Sequence, residues 1–117
     1  NLRLLMTRAE EWGLEALVEV HDAGELAIAL DAGARLVGVN SRDLRDFRID
    51  TATAWCLLGK VPGDVIAVAE SGIHSADDVT RAAEAGADAV LIGTALSASP
   101  DPGTLMASLV RISRRGR

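Results

Sequence analysis

The 117-residue sequence contains no tyrosine, one phenylalanine (Phe47), two tryptophans (Trp12, Trp55), one cysteine (Cys56) and one lysine (Lys60). So few aromatics exclude stacking surfaces for bases or sugar rings and leave the core to aliphatic side chains. A lone thiol cannot close an intramolecular disulfide or a zinc knuckle, so the chain reads as cytoplasmic rather than as a secreted disulfide scaffold. No apolar run approaches the roughly 18–20 residues of a membrane span. The N-terminus lacks a basic-then-apolar leader. Twelve Lys+Arg against seventeen Asp+Glu give a net charge of −5, which argues against a nucleic-acid partner. Neither a Gly-x-x-x-x-Gly-Lys nor a Gly-x-Gly-x-x-Gly loop is present, so nucleotide cradles of those kinds are excluded.

What remains is an ordinary globular composition, 49% apolar and 25% charged, able to build a packed core. The chain starts at Asn1 and runs straight into a helical pattern, so it reads as a piece of something longer. From Leu2 to Trp12 apolar residues recur at helical spacing, with Gly13 as the stop. Leu14 to Val20 reads as a strand interrupted by a carboxylate at Glu19. Asp22, with Glu25 three residues on, resembles a capping box for a helix through about Leu30, closed by Gly33. Arg35 to Val39 is a strand ending at Asn40, followed by a loop through Asp50 and a helix from Thr51 to about Gly59. Val65 to Ala69 is a third strand, ending at Glu70. Ser75 with Asp78 caps a helix to Gly86, Asp88 to Ile92 is a fourth strand, and a last helix runs from about Pro102 to Ile112. The arginine-rich stretch from Arg111 to Arg117 reads as a solvated terminus.

The intervals Asp22–Gly33 and Ser75–Gly86 have equal length, and each leads through Gly-Ala-(Arg/Asp) into an apolar strand. This is an internal duplication of a strand-helix pair. Strands alternating with helices, and apolar along most of their length, imply a parallel sheet covered on both faces. A complete (β/α)8 barrel takes about 200–250 residues, so this length fits half a barrel; a small open doubly wound sheet has the same alternation.

In either architecture chemistry gathers where strands end. Those ends carry Glu19, Asn40, Glu70 with Ser71, and Gly93 with Thr94. An inward-pointing, buried Glu19 or Glu70 would have a raised pKa suited to proton transfer; the competing role is a structural ion pair. Glu70-Ser71-Gly72-Ile73 and Ile92-Gly93-Thr94-Ala95, following consecutive strands, have the look of a split phosphate cradle, in which glycines admit an anion to backbone N–H groups. No second His or Cys stands at ligand spacing from His21 or His74, so both read as loop or cap neighbours and no metal is expected. Cys56 reads as a buried small hydrophobe.

The runs Leu17-Val18-Glu19-Val20-His21-Asp22, Leu36-Val37-Gly38-Val39-Asn40-Ser41-Arg42-Asp43-Leu44, Val68-Ala69-Glu70-Ser71-Gly72-Ile73 and Ala89-Val90-Leu91-Ile92-Gly93-Thr94-Ala95-Leu96 together resemble the indole-3-glycerol phosphate synthases. The resemblance covers essentially the whole chain as one partial domain, 1–117. It implies an α/β fold, the TIM (β/α)8 barrel, of which only strands five to eight with their helices are present. It also implies a lyase of tryptophan biosynthesis that closes 1-(2-carboxyphenylamino)-1-deoxyribulose 5-phosphate to indole-3-glycerol phosphate, without a cofactor. By position the resemblance makes Glu19 the general base and Asn40 a substrate-holding group. Glu70 and Ser71 become an active-site pair, Gly72, Gly93 and Thr94 the phosphate contacts, and Leu91 an apolar wall for the aromatic ring. Thr94 departs from the serine common there but keeps the hydroxyl. The family's general-acid lysines fall on strands that would precede Asn1, and Lys60 sits in a helix-to-strand loop. The isolated chain is therefore expected to be inactive. It is expected to self-associate or to pair with the other half, because exposed sheet edges and apolar patches are liabilities in a monomer. A stand-alone assembly unit and a non-catalytic phosphate-binding module are the competing readings.

Overall fold

A computed structural model describes residues 1–116. Asn1 caps α1 (Leu2–Glu11), whose chain exit uses Gly13 at φ +71°. Then follow β1 (Val18–Val20), α2 (Ala23–Asp31), β2 (Leu36–Asn40), α3 (Thr51–Leu58), β3 (Ile66–Glu70), α4 (Ala76–Ala85), β4 (Ala89–Leu91), α5 (Thr94–Ala98) and α6 (Pro102–Leu109). Asp22, Asp50, Ser75 and Asp101 each accept an N–H bond from the first turn of the helix they precede, meeting donors that the helix itself leaves open.

The four strands form one parallel sheet in the order β1-β2-β3-β4. Val20, Val39, Ala69 and Val90 share one row, and Asn40, Glu70 and Leu91 another. Sequential order combined with right-handed crossovers places every connecting helix on the same face of the sheet. The core records this: Val18, Val20, Val37, Val39, Ala67 and Ala69 pack with Leu26, Ala29, Ala54, Leu57, Leu58, Val79 and Ala82 of the helices. Leu58, Val20, Val37 and Val39 are fully buried, each stabilising by about 1.5–3 kcal/mol relative to exposure. The alternate strand residues point the other way, and there Leu17, Ile66 and Leu91 are exposed. A doubly wound sheet would have helices on that face. The chain is instead a sector of a (β/α)8 barrel whose inner wall is open.

Several expected boundaries shift. Only Val18–Val20 of the stretch from Leu14 pairs, in register with Val37, Gly38 and Val39 of β2. The fourth strand is similarly confined to Ala89–Leu91. The last helix ends at Leu109 rather than Ile112, and the five-residue α5 has too short a sequence for any periodicity to announce it. Cys56 is exposed, not buried: Ala54, Leu57 and Leu58 form the i, i+3, i+4 stripe that α3 buries, and Cys56 falls on the opposite side. Nor is the arginine-rich terminus simply solvated. Arg114 pairs with Asp88 at 3.0 Å and Arg115 with Glu84 at 3.8 Å, while Arg117 lies outside the described residues.

Candidate functional site

At the carboxyl ends of β2, β3 and β4 lies a cavity of about 500 Å³ lined by Asn40, Arg42, Leu44, Glu70, Ser71, Gly72, Ile73, His74, Leu91, Ile92, Gly93, Thr94 and Ala95. It gathers seven of the eight residues singled out in the sequence. Glu19 is absent from that lining, but it occupies the same inner face beside Gly38 and meets Glu70. A second cavity, about 480 Å³ and mainly apolar, lies among α4, β4 and α6. Of the singled-out residues it holds only Leu91, so the chemistry is concentrated in the first.

Glu70 is only 4% exposed, and its carboxyl lies across Gly38, where any Cβ would come within 1.8 Å of its Oε1 and 2.7 Å of its Cδ. Glycine at position 38 thus creates the space that lets a carboxylate at the end of β3 fold down over β2. No donor among the described residues reaches Oε1. Burial above all, then a hydrogen bond shared with the Glu19 carboxyl and the charge of Glu19, pushes Glu70 up from 4.5 to about 7, with His21 opposing. A proton held by Glu70 near neutrality can be shared with the Glu19 carboxyl beside it, so the pair can serve as a proton-holding unit. Glu19 itself is more open, its side chain 37% exposed, contrary to the buried placement the sequence allowed for it.

The loop after β2 is a small folded hairpin. Arg42 bridges Ile49, Asp43 takes its N–H bond to the Arg48 carbonyl at 2.8 Å, and Phe47 makes the tip at φ +59°. Asn40 Oδ1 accepts the Arg42 N–H at 2.9 Å. Ser41, buried, donates from both its N–H and its hydroxyl to the Glu70 carbonyl, at 3.0 and 3.1 Å, which locks the end of β2 to the end of β3. Arg45 grips Asp43 with both guanidinium arms and holds it well below the usual carboxylate range.

After β3 the backbone takes two successive left-handed residues, Ser71 at φ +61° and Gly72 at φ +68°. Gly72 is doubly required, since a Cβ there would lie 2.8 Å from Thr51 Cγ2 and 2.9 Å from Ser41 Oγ. Gly93 has no atom within 4 Å of a Cβ position, so open space borders it on the cavity side. Arg42 escapes the sequence reading. Among the described residues it is the one guanidinium lining this cavity, and its Nε is buried with no partner among them. Its place two residues beyond Asn40, at the mouth of a strand, is the signal for it. Lys60 lies in the turn between α3 and β3, at the opposite edge of the sheet. Among the described residues no cluster of His, Cys, Asp and Glu is arranged to hold a metal ion, and no helix is long and apolar enough to cross a membrane.

A family model described as indole-3-glycerol phosphate synthase matches residues 1–109. A protein of that name from Haloarcula marismortui is 51% identical over 96 residues, 82% of this chain and 35% of that protein. Indole-3-glycerol phosphate synthase 2 of Streptomyces coelicolor is 48% identical over 110 residues, 94% of this chain and 43% of the relative. Among solved structures, an Amycolatopsis orientalis BexX/CysO complex matches with a TM-score of 0.72 at 31% identity, over 93% of this chain and 43% of that one. Mandelate oxidase matches with a TM-score of 0.62 at 25% identity, over 84% and 33%. The chain thus spans well under half the length of these curated relatives.

Proposed function

The chain belongs to the indole-3-glycerol phosphate synthase family, and from that premise we propose that it forms the second half of a cytoplasmic ring-closing lyase of tryptophan biosynthesis. The substrate is 1-(2-carboxyphenylamino)-1-deoxyribulose 5-phosphate, and the reaction forms a carbon–carbon bond with loss of carbon dioxide and water. No cofactor takes part. One observation carries this reading: a carboxyl pair able to hold a proton near neutrality stands beside a cavity that also offers a guanidinium, an apolar wall and two glycine-bearing strand ends.

Each part has a task. The phosphate rests on the backbone at Gly72, Gly93 and Thr94, with the Thr94 hydroxyl as a further donor. Leu91 lies against the aromatic ring, and Arg42 pairs with a carboxylate. Asn40 and Ser71 orient the sugar chain. Glu19 is the general base, and Glu70, joined to it, holds the proton that the base has taken. Dehydration also needs an acid for the departing hydroxyl. The only lysine here is at the far edge of the sheet, so that acid comes from outside these residues, and its loss costs about 10²–10⁴ in rate. The chain alone is accordingly inactive. Co-expression with the N-terminal half of the Streptomyces coelicolor relative tests this. Formation of indole-3-glycerol phosphate that depends on Glu19 is expected, and no product from a soluble, associated pair would overturn the assignment.

A second reading is favoured by the open inner face. Exposed Leu17, Ile66 and Leu91 and the short outer strands β1 and β4 give a surface that a second copy or an N-terminal half would cover. In that role the chain is a phosphate-binding or assembly unit without turnover.

A further inference from the structure

His21 is the polar group beside the Glu19–Glu70 pair that the ring closure proposed above leaves unused. It follows β1 directly, with its side chain only 25% exposed. Glu25, in the first turn of α2, holds it at two points: Glu25 Oε2 accepts the His21 backbone N–H at 2.7 Å and lies 3.1 Å from Nδ1. The other ring nitrogen, Nε2, is buried with no hydrogen-bond partner among the described residues and stands 3.5 Å from Glu19 Oε1. The duplicated unit supplies an internal comparison. His74 precedes α4 as His21 precedes α2, and its N–H reaches Asp78 Oδ2 at 3.0 Å. There, however, the carboxylate is also occupied by the N–H and hydroxyl of Ser75, and His74 is exposed. The same scaffold is used twice: the His74 ring borders the cavity itself, and the His21 ring is the one that stands beside the Glu19 carboxyl.

We propose that His21 is a positioning residue: anchored on Glu25 through Nδ1, it turns Nε2 toward Glu19 and fixes that carboxyl in the orientation that meets Glu70. The proposal rests on Glu19 being the base. The charged groups around the ring are Glu19 from β1, Asp22 and Glu25 at the start of α2, Glu70 from β3, and, from the loop after β2, Asp43 with Arg45 and, across the same pocket, Arg48 and the helix cap Asp50. Arg45 already neutralises Asp43 through a bidentate bond, and Asp22 accepts the Glu25 N–H. Glu25 is therefore the carboxylate that sets the ring. With the Nδ1 proton directed at Glu25, Nε2 presents a lone pair to a protonated carboxyl pair, or a second proton to an ionised one.

The chain has only two histidines, so ¹⁵N-labelled imidazoles in the whole protein resolve the question, with His74 as the reference. Above neutral pH, His21 is expected as the Nδ1–H tautomer and His74 as Nε2–H; in Glu25→Ala, His21 is expected to revert to Nε2–H. In ¹³C-carboxyl titrations, His21→Leu is expected to raise the Glu70 midpoint, because His21 opposes the upward push on Glu70, and His21→Gln serves if His21→Leu does not fold. His74→Leu is expected to leave that midpoint in place. An Nε2–H tautomer at His21 in the parent, or a Glu70 midpoint unmoved in the variants, would overturn the proposal. Titrating the same samples with indole-3-glycerol phosphate keeps the two questions apart. Absence of binding counts against the proposed function and leaves the tautomer and midpoint results standing, whereas binding without those signatures removes the role of His21 alone.

Discussion

Replacing Glu70 by glutamine tests the buried carboxyl most cleanly, because the amide keeps the shape and removes the titration. In the folded chain Glu70 ionises near 7 against an ordinary 4.5. Its native midpoint is raised, so the folded state holds a proton that the unfolded chain has already released. The contribution to stability is complete below pH 4.5 and is lost as pH rises through about 7; at higher pH the ionised carboxylate costs up to about 3 kcal/mol relative to the protonated one. The amide of Glu70→Gln is neutral throughout. Variant and parent are therefore expected to have similar stability at pH 4 and to diverge with rising pH, the variant gaining up to about 3 kcal/mol by pH 8.5. With a urea dependence of about 1–3 kcal/mol per molar, that gain appears as a midpoint displaced by one molar or more. Urea unfolding of both proteins at pH 4, 5.5, 7 and 8.5 measures it, and the difference between them removes the titrations they share. A stability difference that is constant across these four conditions would refute the claim that Glu70 is a proton-holding group.

Gly72→Ala puts a Cβ at φ +68° against Thr51 and Ser41, so a loss of about 1–3 kcal/mol is expected in thermal or urea unfolding; unchanged stability would mean the turn is not built as described. Gly93→Val is the contrasting case, since φ is −120° and nothing lies within 4 Å. Its stability is expected to stay within about 0.5 kcal/mol of the parent while calorimetry finds affinity for indole-3-glycerol phosphate lowered at least about tenfold, and undiminished affinity would remove Gly93 from the phosphate site. The open inner face predicts concentration-dependent association in analytical ultracentrifugation; a well-folded monomer at high concentration contradicts it.

The strand ends are readable in the sequence because polar residues interrupt apolar runs there, and Glu70, Asn40, Ser71 and Gly93 indeed share one edge of the sheet. Consecutive parallel pairing is legible from the alternation of elements, but the choice between a barrel sector and a doubly wound sheet is not. That choice depends on which face the helices cover, and it becomes visible only in the burial of Val37 and Val39 against the exposure of Leu91. Nor do the residues themselves distinguish the two glutamates. Glu70 is buried because Gly38, a residue on a different strand, leaves room for it, while Glu19 lies on an outer strand of the sheet. Cys56 misleads because its immediate sequence neighbours, Trp55 and Leu57, say less than the three-and-four spacing of the buried stripe. Arg42 looks like one polar residue of a loop; its buried Nε marks it only once the loop is folded over the cavity.

The central claim is that the tips of β1 to β4 and the loops that follow them form one ligand-binding surface. Backbone amide NMR during titration with indole-3-glycerol phosphate tests this most directly. Asn40, Ser71, Gly72, Gly93 and Thr94 are expected to shift together along a single binding curve, with Glu19 following and Lys60 silent. Shifts confined to the Lys60 edge, or no response at ligand concentrations in the millimolar range, would contradict it.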